Sequence, residues 1–277
     1  MNFLKRYIKL HVKIIFVLYR IFLLRLDKRT FTLFFNLKSF LISSPSRLFW
    51  SENAFVVTDK DINGFKYKIR HQRQCNMAYE FGVKKRAQSL AECYFLNQIE
   101  FDDGDIFLDC GANVGDLKIW FEMQKININY VGFEPSPTEF SCLKENVHPS
   151  TVHNIGLWNA DGELEFFVSS QGADSSLIEP LSFDDKIKVP VKRLESYVSS
   201  KIKLLKLEAE GAEPEILEGL GDKLDLVEYV SADLGYERGI QCESTFVPVT
   251  NYLLEHDFEL VDVSHGRICA LYKNKRF

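Results

Sequence analysis

The stretch Ile106-Phe-Leu-Asp-Cys-Gly-Ala-Asn-Val-Gly115, followed at helix-length distance by Tyr130-Val-Gly-Phe-Glu134, constrains the fold more than any other part of this 277-residue chain. The first piece reads as a buried strand ending in a glycine-bearing turn, and the second as a buried strand ending in one carboxylate. Strand, glycine turn, helix, strand and acid is the order in which α/β proteins hold the adenosine part of a cofactor. Glycines let the backbone approach a ligand closely. The acid can accept hydrogen bonds from both hydroxyls of a ribose.

The turn also discriminates between cofactors. A dinucleotide site carries G-x-G-x-x-G, whereas here Ala112, Asn113 and Val114 separate Gly111 from Gly115, so the glycine that admits a pyrophosphate is missing. No G-x-x-x-x-G-K-[ST] loop is present either. Asp109, just before the turn, suits a cationic ligand better than a pyrophosphate. S-adenosylmethionine has an ammonium, a sulfonium and no phosphate, which favours a methyltransferase over a dehydrogenase. The competing structural account is a glycine turn that merely joins strand to helix.

Charge is unevenly spread. Residues 1–50 hold ten Lys or Arg and the single acid Asp27, about +9, which leaves about −14 for the remainder of a chain whose net charge is −5. An acidic body argues against nonspecific nucleic-acid binding. The six cysteines are scattered with no C-x-x-C pair and no zinc spacing to histidine, which fits free thiols in a reducing cytosol. The first fifty residues are apolar and basic. Arg20 interrupts the run Ile14–Leu24, and Lys13 and Arg25 bound it, so the uncharged stretch is shorter than the ~20 residues of a membrane span. A helix lying on the inner, anionic face of the cytoplasmic membrane is one expectation. A helical hairpin that packs on the body or pairs two subunits is another, and a span with Arg20 snorkelling is a third. Ser43-Ser-Pro-Ser46 is expected to be the linker to a domain covering residues 51–277, with its core motifs over 100–235.

In that body, Asn63-Gly64 between Ala54–Thr58 and Phe65–Ile69 predicts a hairpin. Residues 84–99 predict an amphipathic helix burying Leu90, Tyr94, Phe95 and Ile99. Strands are then expected near 106–110, 130–134, 151–157, 203–210 and 226–234, with helices near 115–125, 137–146 and 213–220. That alternation implies a mostly parallel sheet with helices on both faces. Asp161-Gly162 suggests a hairpin pairing Asn154–Trp158 with Glu163–Val168. A helix near 243–256 and strands 259–264 and 268–273, turning at His265-Gly266, close the chain.

Residues 203–211 read Lys-Leu-Leu-Lys-Leu-Glu-Ala-Glu-Gly. Strand alternation puts Lys206, Glu208 and Glu210 on one face, which is costly unless the charges are paired or used. Ligands bind at the carboxyl ends of parallel strands, where Glu208 and Glu210 fall. Both are candidate catalytic carboxylates, the alternative being a structural Lys–Glu pair. Glu213 reads better as a helix-start acid. His153 is a weaker candidate base. Asp174 and Ser175, in the insertion after the third core strand, are candidate acceptor contacts, or else parts of a polar turn.

Phe107–Gly115, Gly132–Ser136, Asn154–Leu157 and Lys206-Leu-Glu-Ala-Glu-Gly-Ala-Glu213 with Leu217-Glu-Gly219 together resemble the FkbM family of S-adenosylmethionine-dependent methyltransferases over about residues 100–235. The resemblance implies a Rossmann-like class I methyltransferase fold with a seven-stranded sheet. It implies cofactor contacts at Asp109, Gly111, Ala112, Asn113 and Gly115, with the ribose at Glu134. Family members often methylate sugar hydroxyls of polysaccharides, glycolipids or natural products. The family more often has Asp where this chain has Glu208. No metal is required by that chemistry, although Glu208 and Glu210 could share a divalent ion. An NAD-dependent sugar oxidoreductase and a non-catalytic membrane-attached scaffold are the rival readings. The acceptor and the oligomeric state, including a homo-oligomer, stay open at this level.

Overall fold

The computed structural model describes residues 21–170, 172, 174–264 and 266–277. The chain forms two compact units, Met1–Val83 and Lys84–Phe277. In the described part of the first unit, helix α1 (Lys28–Leu41) starts at Asp27, whose carboxylate accepts from Arg29 N at 3.1 Å and Thr30 N at 3.2 Å. This satisfies amides that the helix leaves open. Phe31 and Phe35 bury on its inner face, and Phe31 meets Phe55 edge-on with ring centroids 5.3 Å apart. Lys38 is buried there too, 3.2 Å from Glu80 and donating to Asn76 at 2.7 Å.

Strands β1 (Ser46–Ser51), β2 (Ala54–Asp59) and β3 (Tyr67–Ile69) form an antiparallel sheet. The hairpin across Asn63-Gly64 pairs Val57 with Tyr67, as the alternation predicts. The other hairpin turns at Glu52-Asn53, both residues in the left-handed region that a tight two-residue turn requires. Ser43–Ser46 is not a loose linker. Ser44 and Ser46 are buried, and Ser44 Oγ accepts from Ser46 N at 3.3 Å, so the serines close their own backbone as β1 begins. Residue 50, where composition suggested a boundary, lies inside β1, and the first unit continues to Val83. Of the basic helical extension expected over residues 1–50, residues 1–20 lie outside the described residues.

The second unit is built on a seven-stranded sheet. Its members are β4 (Ile106–Cys110), β5 (Asn129–Phe133), β6 (Thr151–His153), β10 (Ile202–Leu207), β11 (Val227–Asp233), β14 (Phe258–Ser264) and β15 (Cys269–Asn274), in spatial order β14-β15-β11-β10-β4-β5-β6. All neighbours are parallel except β15, which runs antiparallel to both β11 and β14. The central parallel strands β4, β10 and β11 are buried almost throughout, as expected when both faces are covered. On one face Leu108, Cys110, Leu205, Leu207, Val230 and Tyr272 pack with helices α6 (Glu213–Leu220) and α7 (Phe246–Glu255). On the other, Phe107 meets Phe121 of α4 (Lys118–Gln124), with centroids 5.3 Å apart, and Ser231 Oγ donates to Tyr94 O. This is the class I methyltransferase topology, with the two-stranded antiparallel ending that the sequence suggests.

Two local expectations fail. The helix over 84–99 ends at Cys93, because Phe95 turns left-handed (φ 59) and a 3₁₀ turn, Leu96–Gln98, follows. That break lets Tyr94, Phe95, Leu96 and Ile99 all bury. Nor does Asn154–Trp158 pair with Glu163–Val168. The strand region splits at Asn154, whose Nδ2 donates to Glu134 O (2.8 Å) and Pro135 O (3.0 Å). Gly156–Leu157 (β7) then pairs parallel with β9 (Asp185–Lys192), and β9 pairs antiparallel with β8 (Gly162–Val168). The insertion is therefore a small sheet of its own. At its root, Gly219 of α6 lies so close to the Trp158 carbonyl that a Cβ would overlap it. Gly219→Ala should lower the unfolding free energy by about 1–3 kcal/mol, the cost of overpacking, read from a urea denaturation curve.

Candidate functional site

The candidate functional residues gather at the carboxyl ends of β4, β5, β10 and β11. After Cys110 the chain turns sharply, with Gly111, Asn113 and Gly115 all at positive φ (74°, 49° and 88°). Gly111 is required there on two counts. Its φ suits no other residue well, and a Cβ would run into the Glu208 carbonyl oxygen. Gly111 N and Ala112 N donate to Phe133 O at 3.1 and 2.9 Å, which sews the turn to the end of β5. Just beyond, Glu134 Oε2 accepts from Asn113 N and Oε1 from Ser136 N, each at 2.8 Å. The glycine turn and the acid therefore form one hydrogen-bonded unit. Burial, with a smaller push from Glu139, raises the Glu134 carboxyl to about 8.

Asp109, Lys206 and Glu208 form the adjoining layer. Asp109 and Lys206 are register partners on β4 and β10, so their side chains share a face. Lys206 Nζ lies 3.0 Å from Asp109 Oδ1 and 3.2 Å from Glu208 Oε2, and donates to Gly111 O at 2.8 Å. The Tyr94 ring lies 5.5 Å from the same ammonium. Tyr130 OH donates to Asp109 Oδ2 at 2.7 Å. Asp109 is thus buried and internally paired. Burial opposes the charge on Glu208, but Lys206 and Arg267 outweigh it and hold the carboxyl down at about 2.

Glu210 is placed differently from its alternate neighbour. β10 ends at Leu207, and Glu210 itself has φ 50, so strand alternation no longer governs it. Its carbonyl accepts from Ser176 Oγ at 3.0 Å, which ties the insertion to this loop. Gly211 packs against Arg238 of β12 (Tyr236–Arg238), and the Arg238 guanidinium donates to Gly211 O and grips Glu215. Glu237, on the same strand, thereby joins the cluster. Burial, then repulsion from Glu237, Glu208, Asp174 and Glu213, raises Glu210 to about 10. Burial, with Asp233 and Glu208 adding to it, raises Glu237 to about 7. Arg267 bridges Glu208 and Asp233.

Among the sequence candidates, Glu213 is structural, as its helix-start position suggests. Its carboxylate accepts from Ala209 N, Gly211 N and Thr245 Oγ1. His153 stacks on Phe133, centroids 5.2 Å apart, and burial lowers its basicity. Ser175 Oγ accepts from Ser169 N at 2.9 Å, and Asp174 is exposed. Arg267, Asp233, Glu237 and Ser176 lie beyond the reach of motif reading. The first three stand one strand or one hairpin away from any recognisable segment, and only the sheet order brings them in.

Residues 109–265, more than half of the chain, match the family described as the Methyltransferase FkbM domain. This chain belongs to the FkbM methyltransferase family. Membership makes it a methyltransferase whose cofactor is S-adenosylmethionine, and sets aside the oxidoreductase and scaffold readings. Curated relatives include Methyltransferase 1 from Beauveria bassiana, 26% identical over 53% of this chain and 71% of that protein. They also include the hexuronic acid methyltransferase AglP from Haloferax volcanii, 28% identical over 49% of this chain and 58% of that protein. The match therefore spans little more than half of the Haloferax relative. Similar solved structures include TYW2 from Pyrococcus horikoshii, at 13% identity, TM-score 0.43 and coverage of 89% and 81%.

Two predictions follow the charges of this FkbM methyltransferase. Lys206→Met leaves Asp109 and Glu208 without their buried partner and should destabilise the protein by roughly 3–5 kcal/mol, measured by chemical denaturation. The second concerns pH. Glu134, Glu237 and Glu210 hold protons in the folded state at pH values where the unfolded chain has released them, so stability falls as pH rises from the ordinary carboxylate range through about 7 and about 8 toward about 10. Glu208 has the opposite sign and its contribution is lost only toward about 2. The ligand-free protein should therefore unfold at lower urea at pH 9 than at pH 5.5, with the slope flattened in Glu210→Gln.

Proposed function

We propose that this chain is an O-methyltransferase acting on a hydroxyl of a sugar in a polysaccharide, a glycolipid or a related metabolite. One observation carries the reading. Beside a glycine turn and an acid arranged for an adenosine, Lys206 pairs with Asp109 and Glu208, Arg267 pairs with Glu208 and Asp233, and the protonated carboxyls of Glu210 and Glu237 adjoin them. That donor set fits a ligand bearing a sulfonium and an ammonium. The hexuronic acid activity in the Haloferax relative's name points to sugars as the acceptor class.

S-adenosylmethionine, when bound, supplies an electrophilic methyl group and a positive charge. The backbone of Gly111–Gly115 shapes the floor for it. The positive charge of the cofactor favours the carboxylate form of Glu134, in which each oxygen takes one backbone amide and keeps a lone pair for a ribose hydroxyl. Asp109 acts through Lys206 and Tyr130, keeping the turn in place. Glu208, fixed as a carboxylate, is a poor proton acceptor and serves as the anchored charge of the strand end. Glu210 is the base. It is protonated near neutral pH in the ligand-free chain, and an opposite charge nearby favours its ionised form. As a carboxylate it accepts the proton leaving the acceptor hydroxyl. Asp174 and Ser175, on the insertion that Ser176 ties to Glu210, meet the acceptor sugar. The second unit, Lys84–Phe277, acts as the methyltransferase body. We place the reaction in the cytoplasm, at the inner face of the cytoplasmic membrane, where lipid-linked sugars would be at hand.

Titration calorimetry tests the assignment. Glu134→Ala should weaken S-adenosylmethionine binding by about tenfold or more, an energy near 1.4 kcal/mol. Glu210→Gln should cut turnover on a sugar acceptor by roughly 10²–10⁴ while leaving cofactor affinity nearly unchanged. Unaltered binding in Glu134→Ala would remove that residue from the cofactor site. A large affinity loss in Glu210→Gln would move Glu210 from the acceptor side to the cofactor side.

A further inference from the structure

Helix α1 is apolar on two opposite faces. Its inner face, Phe31 and Phe35, is buried within the first unit, and its one inward cation, Lys38, is committed to Glu80 and Asn76. On the outer face Leu33 (67% exposed), Leu37 (51%), Phe40 (70%) and Leu41 (71%) point to solvent. At 3.6 residues per turn these four span an arc of about 100°, the width of a face built for burial. The residues leading into the helix, Ile21, Phe22 and Leu24, are exposed as well. Contiguous apolar surface of this kind marks a docking site, while single exposed apolar residues do not.

The surrounding charge identifies the occupant. Arg25 and Arg29 are exposed at the start of α1, Arg29 about 40° round the helix from Leu33, and the acid between them, Asp27, caps α1. Lys28 turns to the sheet side, its Nζ 5.8 Å from the Trp50 ring centroid. The preceding twenty residues add Lys5, Arg6, Lys9, Lys13 and Arg20 and no acid. At 14 residues α1 is about 21 Å long, shorter than the ~30 Å hydrocarbon layer. Among the described residues no helix is long and apolar enough to cross a membrane. An apolar strip rimmed by cations matches a surface where acyl chains lie just beneath anionic headgroups.

We infer that the outer face of α1, through Leu33, Leu37, Phe40 and Leu41, docks this chain in the plane of an anionic lipid surface, with Arg25 and Arg29 at the headgroups. The inference deepens the membrane placement proposed above and rests on it. Methyl transfer does not enter into it.

The test is flotation of the full-length protein with vesicles of phosphatidylcholine alone and of phosphatidylcholine with phosphatidylglycerol. The wild type should float with the anionic vesicles, at least about tenfold more strongly than with neutral ones, and lose that binding in high salt. Leu37→Glu/Phe40→Glu, at exposed positions and checked for an unchanged unfolding midpoint, should stay in solution. No flotation of the wild type overturns the membrane placement together with this surface. Equal flotation of wild type and variant leaves the placement standing and overturns the surface. A wild-type dimer that the variant dissolves, with no vesicle binding, assigns the face to a second copy of the chain instead.

Discussion

The buried ammonium of Lys206 is the interaction on which the arrangement of the site depends. It stands on the central strand β10 and touches three things that must stay in register. These are the carboxylate closing β4, the carbonyl of the first turn glycine, and the carboxylate closing β10 itself. A buried cation is costly by itself and is tolerated where partners surround it. Here Asp109 and Glu208 hold it charged, well above an ordinary lysine, although burial works the other way. The pairing therefore specifies geometry more than it adds stability. It locks a turn whose backbone has little other freedom, because Gly111 is already wedged against the Glu208 carbonyl.

Because Lys206 and Arg267 are committed to Glu208, Asp109 and Asp233, the remaining acids at the strand ends have no cation to themselves. Glu210 and Glu237 answer by keeping their protons. Two neighbouring carboxyls of the same strand end thus take opposite states, one fixed as an anion and one held neutral. That split underlies the proposal that Glu208 anchors and Glu210 acts as the base. It also couples the insertion to the chemistry, since Ser176 hydrogen-bonds the backbone of Glu210.

The N-terminal unit follows a different logic. Helix α1 buries one apolar face on its own small sheet and keeps another outside, with the exposed cation Arg29 at its edge. The methyltransferase body needs no such surface to fold, since its parallel strands already bury both faces of the sheet.

Much of the body was legible from the chain alone. The strand 106–110, the helices 137–146 and 213–220, the hairpin at Asn63-Gly64 and the closing antiparallel pair have local periodicity or turn chemistry that no tertiary contact overrides. The glycine turn, Glu134 and the Glu-Gly-Ala-Glu segment are contiguous motifs, so cofactor class and family followed from them. Other features depended on contacts distant in sequence. Strand β1, the break of the helix at Phe95 and the pairing of Gly156–Leu157 with β9 instead of β8 are set by which surfaces find burial. The same holds for the acids. Alternation put Glu208 and Glu210 on one face, but the strand stops at Leu207, and a left-handed turn at Glu210 sends them into different surroundings. Their charge states then come from Lys206, Arg267 and Glu237, which lie between 2 and 59 residues away from them in the chain. Residue type and spacing decided what binds. Ionisation depends on burial and on the summed field of neighbours, so only the assembled sheet could decide which carboxyl keeps its proton.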